Sequence, residues 1–179
     1  MNTVLPLVTL VLGGARSGKS RYAEKIIEAQ GKGLYLATAQ PTDGEMRSRI
    51  SEHRSRRGKA WETIEESYDI VQVILREARP DRPILVDCLT LWLSQVVFNG
   101  KGSEEEIDRL KVLLESGALR GPVVFVSNEI GLGVIPDNKV SRVFVDAQGE
   151  LNQLVASLAN RVVLVTAGLP RVLKEKSDE

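Results

Sequence analysis

Glycine, lysine and a hydroxyl residue stand at fixed intervals in Gly13-Gly14-Ala15-Arg16-Ser17-Gly18-Lys19-Ser20, and that spacing suits the holding of phosphate. The pattern, G-x-x-x-x-G-K-[ST], carries meaning where a strand precedes it and a helix follows. Both flanks are present, as an apolar run from Val4 to Leu12 and a helical stretch from Arg21 to Gln30. Glycines let the backbone curl until successive N–H groups face phosphate oxygens, and the helix N-terminus adds partial positive charge. Lys19 then reaches the outer phosphates, and the Ser20 hydroxyl is placed for a Mg²⁺ ion bridging them. A glycine turn that merely joins strand to helix is the bland alternative. The agreement of loop and flanks stands against it.

Two other groups could share in phosphate chemistry. Pro83-Ile84-Leu85-Val86-Asp87 is an apolar run closed by an acid, and a phosphate-loop protein needs a carboxylate on a neighbouring strand to hold Mg²⁺. Apolar strands ending in Asp are common, so Asp87 gains meaning only beside the loop. His53 is the single histidine, within Arg47-Ser48-Arg49-Ile50-Ser51-Glu52-His53-Arg54-Ser55-Arg56-Arg57. A neutral imidazole can attack phosphorus, while arginines neutralise phosphate oxygens and disfavour imidazolium. Equally, a histidine on the helical face of Met46 and Ile50 can be a packed residue, and clustered arginines a solvated face. The residues alone leave both readings open.

The elements that would position these groups alternate between strand and helix. Strands are expected at Val4 to Leu12, Gly33 to Thr38, Trp61 to Ile64, Pro83 to Asp87, Val123 to Ser127 and Arg161 to Thr166, where apolar runs suit a mainly parallel sheet covered on both faces. Helices are expected between them, at Thr42 to about Arg57, Tyr68 to Ala78, Leu89 to Phe98, Ser103 to Ser116 and Asn138 to Ala159, the last with Val140, Phe144, Leu151, Leu154, Val155 and Leu158 as core contacts. This alternation predicts a single α/β domain over residues 1–179, with a charged tail from Arg171 that frays. Strand carboxyl ends face the ligand crevice in such sheets. Ala37, Thr38 and Ala39 therefore either approach a ligand or form an ordinary strand-to-loop transition. Asn128-Glu129-Ile130-Gly131-Leu132-Gly133 follows another strand end; there Glu129 either faces a transferred phosphate or caps its loop.

Composition narrows the function classes. The 179 residues carry 24 basic and 24 acidic side chains, a balance that argues against nucleic acid or an anionic membrane as partner. One cysteine, Cys88, rules out an internal disulfide framework and fits a reducing cytosol. The N-terminal apolar run lacks a signal peptide's basic start and cleavage site, and is shorter than the roughly 20 residues that span a bilayer. A cytoplasmic protein is expected.

The segments Gly13 to Ser20, Tyr35-Leu36-Ala37-Thr38, Arg49-Ile50-Ser51-Glu52-His53-Arg54, Val86-Asp87-Cys88-Leu89-Thr90 and Asn128 to Pro136 occur in an order that resembles the bifunctional adenosylcobinamide kinase and adenosylcobinamide-phosphate guanylyltransferase family. The last segment is the most specific. The resemblance covers nearly the whole chain and implies a P-loop fold similar to RecA. It also implies phosphorylation of the aminopropanol hydroxyl of adenosylcobinamide with ATP or GTP, then GMP transfer from GTP through a guanylylated histidine, which here is His53. Some relatives have two adjacent histidines where this chain has Glu52-His53. Further implied are a triphosphate site at Gly13, Gly14, Ala15, Arg16, Ser17, Gly18, Lys19 and Ser20; a GTP site lined by Ala37, Thr38, Ala39, Arg54, Ser55, Arg56 and Arg57; further nucleotide contacts at Glu65 and Asp87; a corrinoid substrate; and a homotrimer. A kinase of another small alcohol, using the loop but not His53, and a nucleotide-hydrolysing regulatory subunit are the competing readings.

Overall fold

The computed structural model describes residues 4–40, 44, 47, 48, 51, 58, 61–98 and 103–176. Their strands are β1 (Val8–Gly13), β2 (Gly33–Ala37), β3 (Trp61–Glu65), β4 (Ile84–Asp87), β5 (Val123–Asn128), β6 (Arg161–Thr166) and β7 (Leu169–Glu175). Helices are α1 (Lys19–Glu28), α2 (Ile70–Glu77), α3 (Leu89–Phe98), α4 (Ser103–Glu115) and α5 (Lys139–Leu158). The seven strands form one sheet in the order β3-β2-β4-β5-β1-β6-β7. Every pairing is parallel except β6 with β7. The expected helix from Thr42 to about Arg57 lies largely outside the described residues.

Central strands read as unbroken apolar runs because both of their faces are covered. Leu10, Leu36, Val86 and Phe125 pack on one face with Ile74 of α2, Trp92 of α3, Leu110 of α4 and Val155 of α5. Val11, Tyr35, Leu85, Val124 and Val163 pack on the other with Ala23 and Ile27 of α1. Alternate residues of one strand thus serve opposite layers, as the two-residue period of a strand requires. The parallel register brings Ala37, Asp87, Val126 and Val11 into one row, with Asn128 paired to Gly13 two steps on. All strand carboxyl ends except that of β7 therefore emerge along a single edge.

Three local expectations are corrected. Residues 169–175 do not fray: they form β7, antiparallel to β6 across a turn at Ala167 and Gly168. Pro170 is tolerated there because β7 is an edge strand. Val140 is 60% exposed rather than a core contact, because the buried stretch of α5 begins only at Gln148. Helix α2 starts at Ile70, not Tyr68, since the Asp69 side chain accepts the Gln72 N–H at 3.1 Å and caps it.

Candidate functional site

Strand β1 delivers the chain into the phosphate loop at the middle of this edge. Within the loop the Gly14 carbonyl accepts the Ser17 N–H at 3.2 Å and the Lys19 ammonium at 3.1 Å. Arg16 and Gly18 take left-handed φ values of 56° and 96°, which curls the backbone into the concave form that binds anions. Gly18 carries no side chain to cap α1, so phosphate oxygens can serve the first N–H groups of that helix. A Cβ on Gly13 would lie 2.6 Å from the Val165 carbonyl oxygen, and one on Gly18 would lie 3.3 Å from Gly168 Cα. The Gly168 N–H donates to the Ser17 carbonyl at 2.8 Å. The loop is therefore wedged against the β6–β7 turn, a contact no local motif announces.

Asp87 ends β4 on the far side of β5. The Ser20 hydroxyl donates to its Oδ1 at 3.4 Å, and the buried Tyr35 hydroxyl donates to its Oδ2. Burial holds the Lys19 ammonium below its ordinary pKa of 10.5, opposed by the neighbouring Cys88 and Asp87. Burial, and then the Asp87 charge, push the Cys88 thiol up to about 12. Cys88 is thus neutral at pH 7. Among the described residues no cluster of three His, Cys, Asp or Glu side chains could hold a metal. One hydroxyl and one carboxylate nevertheless fit Mg²⁺, which keeps several waters and completes its octahedron with substrate phosphates.

Hydrogen bonds tie the strand ends together. Thr38 is fully buried; its hydroxyl donates to the Cys88 carbonyl and accepts the Cys88 N–H, both at 2.8 Å. Thr90 Oγ1 accepts the Asn128 N–H at 2.9 Å, and the Gly13 carbonyl accepts the Glu129 N–H at 3.1 Å. Asn152 of α5 donates from Nδ2 to the Asn128 carbonyl at 3.0 Å. Its Oδ1 accepts the Ser127 hydroxyl at 2.6 Å and Gln148 Nε2 at 3.0 Å. The Glu129 carboxylate accepts the Gly131 N–H at 3.0 Å, so it caps its own loop.

The structure brings Gly13 to Ser20, Ala37, Thr38, Ala39 and Asp87 to one edge, with Glu65 level with Ala37 at the end of β3. His53, Arg54, Ser55, Arg56 and Arg57 lie outside the described residues. Sequence reading missed Tyr35, Thr90, Ser127, Gln148 and Asn152. Gln148 and Asn152, four residues apart on the face of Leu151 and Val155, were the available signal: polar side chains on a core face need partners.

The family model described as cobinamide kinase / cobinamide phosphate guanyltransferase matches residues 9–173. The chain belongs to that family. It is 46% identical over 166 residues to the bifunctional adenosylcobalamin biosynthesis protein CobP of Pseudomonas aeruginosa, covering 92% of this chain and 96% of the relative. It is 36% identical over 176 residues to the bifunctional adenosylcobalamin biosynthesis protein CobU of Escherichia coli, covering 91% and 97%. Among solved structures, the flagellar accessory protein FlaH from Methanocaldococcus jannaschii aligns with a TM-score of 0.53 at 12% identity, over 96% of this chain and 80% of that one. The RadB recombinase aligns at 0.52 with 14% identity, over 90% and 75%. These likenesses show the fold, which is RecA-like, with β5 between the loop strand β1 and the acid strand β4. No described helix is long and apolar enough to cross a membrane.

Proposed function

We infer that this protein phosphorylates the aminopropanol hydroxyl of adenosylcobinamide, with ATP or GTP as donor, and then transfers GMP from GTP to that phosphate to give adenosylcobinamide-GDP. The observation that carries the reading is the meeting of Lys19, Ser20 and Asp87 at the mouth of a phosphate loop in a chain of this family. In the kinase step the substrate hydroxyl attacks the γ-phosphorus and the nucleoside diphosphate leaves. Loop N–H groups and Lys19 hold the equatorial oxygens, so positioning and fixed charge do most of the work. Ser20 and Asp87 would hold Mg²⁺, which when bound neutralises charge across the outer phosphates.

In the transferase step the imidazole of His53 attacks the α-phosphorus of GTP, a phosphorus–nitrogen bond forms, and pyrophosphate leaves. The cobinamide phosphate then attacks the same phosphorus and releases His53 unchanged. Arg54, Ser55, Arg56 and Arg57 flank that histidine and, with Ala37, Thr38, Ala39 and Glu65, line the nucleotide. A homotrimer in the cytoplasm completes the reading; the exposed Leu132, Val134, Ile135 and Val143 offer apolar surface for contact between copies.

GTP labelled at the α-phosphorus tests this. Wild type should retain label after denaturation, lose it in acid and keep it in base, as a phosphoramidate does, while a His53→Ala variant retains none. Absence of label where GTP demonstrably binds would remove the histidine mechanism and leave a kinase alone.

A further inference from the structure

We propose that Asn152 and Gln148 are positioning residues for phosphoryl transfer, acting from the buried face of the C-terminal half of α5 on the end of β5 and, through it, on the phosphate loop. The proposal rests on the kinase reading above. In the sheet, strand β5 lies between β1, which ends at Gly13 where the loop begins, and β4, which ends at Asp87. Small movements of its carboxyl end therefore alter the separation of the loop from the acid. That end has no helix of its own to continue it; residues 129–138 run on without regular structure. Its backbone is instead held at three points by groups from three elements. Thr90 takes the Asn128 N–H, Asn152 serves the Asn128 carbonyl, and the Gly13 carbonyl takes the Glu129 N–H.

The Asn152 hold is itself fixed. Ser127 and Gln148 both donate to Asn152 Oδ1, and Gln148 Nε2 also donates to Ser127 Oγ at 3.0 Å. With its oxygen taken by two donors, the Asn152 carboxamide has one orientation, the one that aims Nδ2 at Asn128. Ser127 and Gln148 are fully buried and Asn152 is 6% exposed, so water cannot substitute for a lost partner, and bonds among buried groups hold tightly. A core that served stability alone would use leucine at both helix positions; three polar side chains there instead specify where one carbonyl sits. Reactions that depend on alignment are sensitive to displacements of about 1 Å, which can slow them roughly 100-fold.

The test compares wild type with Asn152→Leu, Gln148→Met and Ser127→Ala, assayed for phosphorylation of adenosylcobinamide at a temperature well below each variant's melting point. Asn152→Leu should lower kcat at least tenfold with the nucleotide KM changed less than threefold, and Gln148→Met should lower kcat by a smaller factor. Combining Asn152→Leu with Ser127→Ala should be no slower than Asn152→Leu alone, because both act through one carbonyl. Lower melting temperatures with wild-type kcat in both helix variants would overturn the proposal and mark the network as structural, as would kcat losses that multiply independently. Ser127→Ala removes one hydroxyl and keeps the test open if the larger changes prevent folding; a wild-type kcat in it, with neither helix variant soluble, also counts against the proposal. A wild type inert toward adenosylcobinamide would instead defeat the kinase reading itself.

Discussion

The Ser20 hydroxyl reaches across the end of β5 to donate to Asp87 Oδ1 at 3.4 Å, although Ser20 opens α1 just beyond β1 and Asp87 ends β4, two strands that do not pair. Oxygens this close can take neighbouring positions around one Mg²⁺, with water and phosphate oxygens filling the rest of its octahedron. Asp87→Asn keeps the size and the Tyr35 contact but removes the charge. It should reduce kinase kcat by about 100-fold and raise the Mg²⁺ concentration needed for half-maximal rate. Steady-state kinetics across a Mg²⁺ series would check this; an unchanged Mg²⁺ requirement would separate Asp87 from the metal.

Burial lowers the Lys19 pKa below 10.5, and phosphate bound beside it must raise it again. Nucleotide binding therefore takes up a proton in the window between the lowered free value and the higher bound one. Affinity should fall as pH rises through that window, by about tenfold per unit. Lys19→Arg stays charged throughout, so its affinity, although weaker near neutrality, should be flat over the same range. The same burial disfavours ammonium in the nucleotide-free fold, a penalty present below the lowered pKa and relieved toward 10.5. Lys19→Met should accordingly melt no lower than wild type at pH 7 while losing stabilisation by nucleotide. Calorimetric titration and thermal melts would show both effects.

Cys88 makes the opposite prediction. Its folded pKa of about 12 exceeds the ordinary 9.0, so its contribution to stability is complete below pH 9 and is lost as pH rises from 9 to about 12, where only the unfolded chain binds fewer protons. The stability difference between wild type and Cys88→Ala should shrink across that interval. At pH 8 the native thiol should resist alkylation, which needs thiolate and access, and react at once in denaturant.

The phosphate loop was legible because its chemistry is local: phosphate dictates glycine, lysine and hydroxyl at fixed steps, and no distant contact is needed to recognise them. Buried strands such as Ile84–Asp87 were legible because two covered faces demand apolar runs. Strand β7 was not, since Arg171, Lys174 and Glu175 lie on an exposed edge whose only cause is pairing with β6. Gln148 and Asn152 escaped because a polar residue on a helix is ordinarily solvated. Beyond the bond between them, their partners Ser127 and Asn128 arrive from another part of the chain. Thr38 was placed at the right edge, yet its bond to Cys88 is invisible without the pairing of β2 with β4.

That bond yields the last expectation. The Thr38 hydroxyl spends its single proton on the Cys88 carbonyl and accepts the Cys88 N–H, so Thr38 joins β2 to β4 immediately beyond Asp87. Thr38→Val preserves shape but strands the buried Cys88 N–H, while the Cys88 carbonyl keeps only the Trp92 N–H at 3.1 Å. A loss of about 2 kcal/mol in unfolding free energy is expected, measurable as an earlier urea midpoint with an unchanged slope. Because the backbone that carries Asp87 loses its neighbour, kinase kcat should also fall, whereas Thr38→Ser retains the hydroxyl and should restore most of both. A valine variant with full stability would mean that Cys88 finds other partners; one with lost stability and wild-type kcat would confine Thr38 to holding the fold.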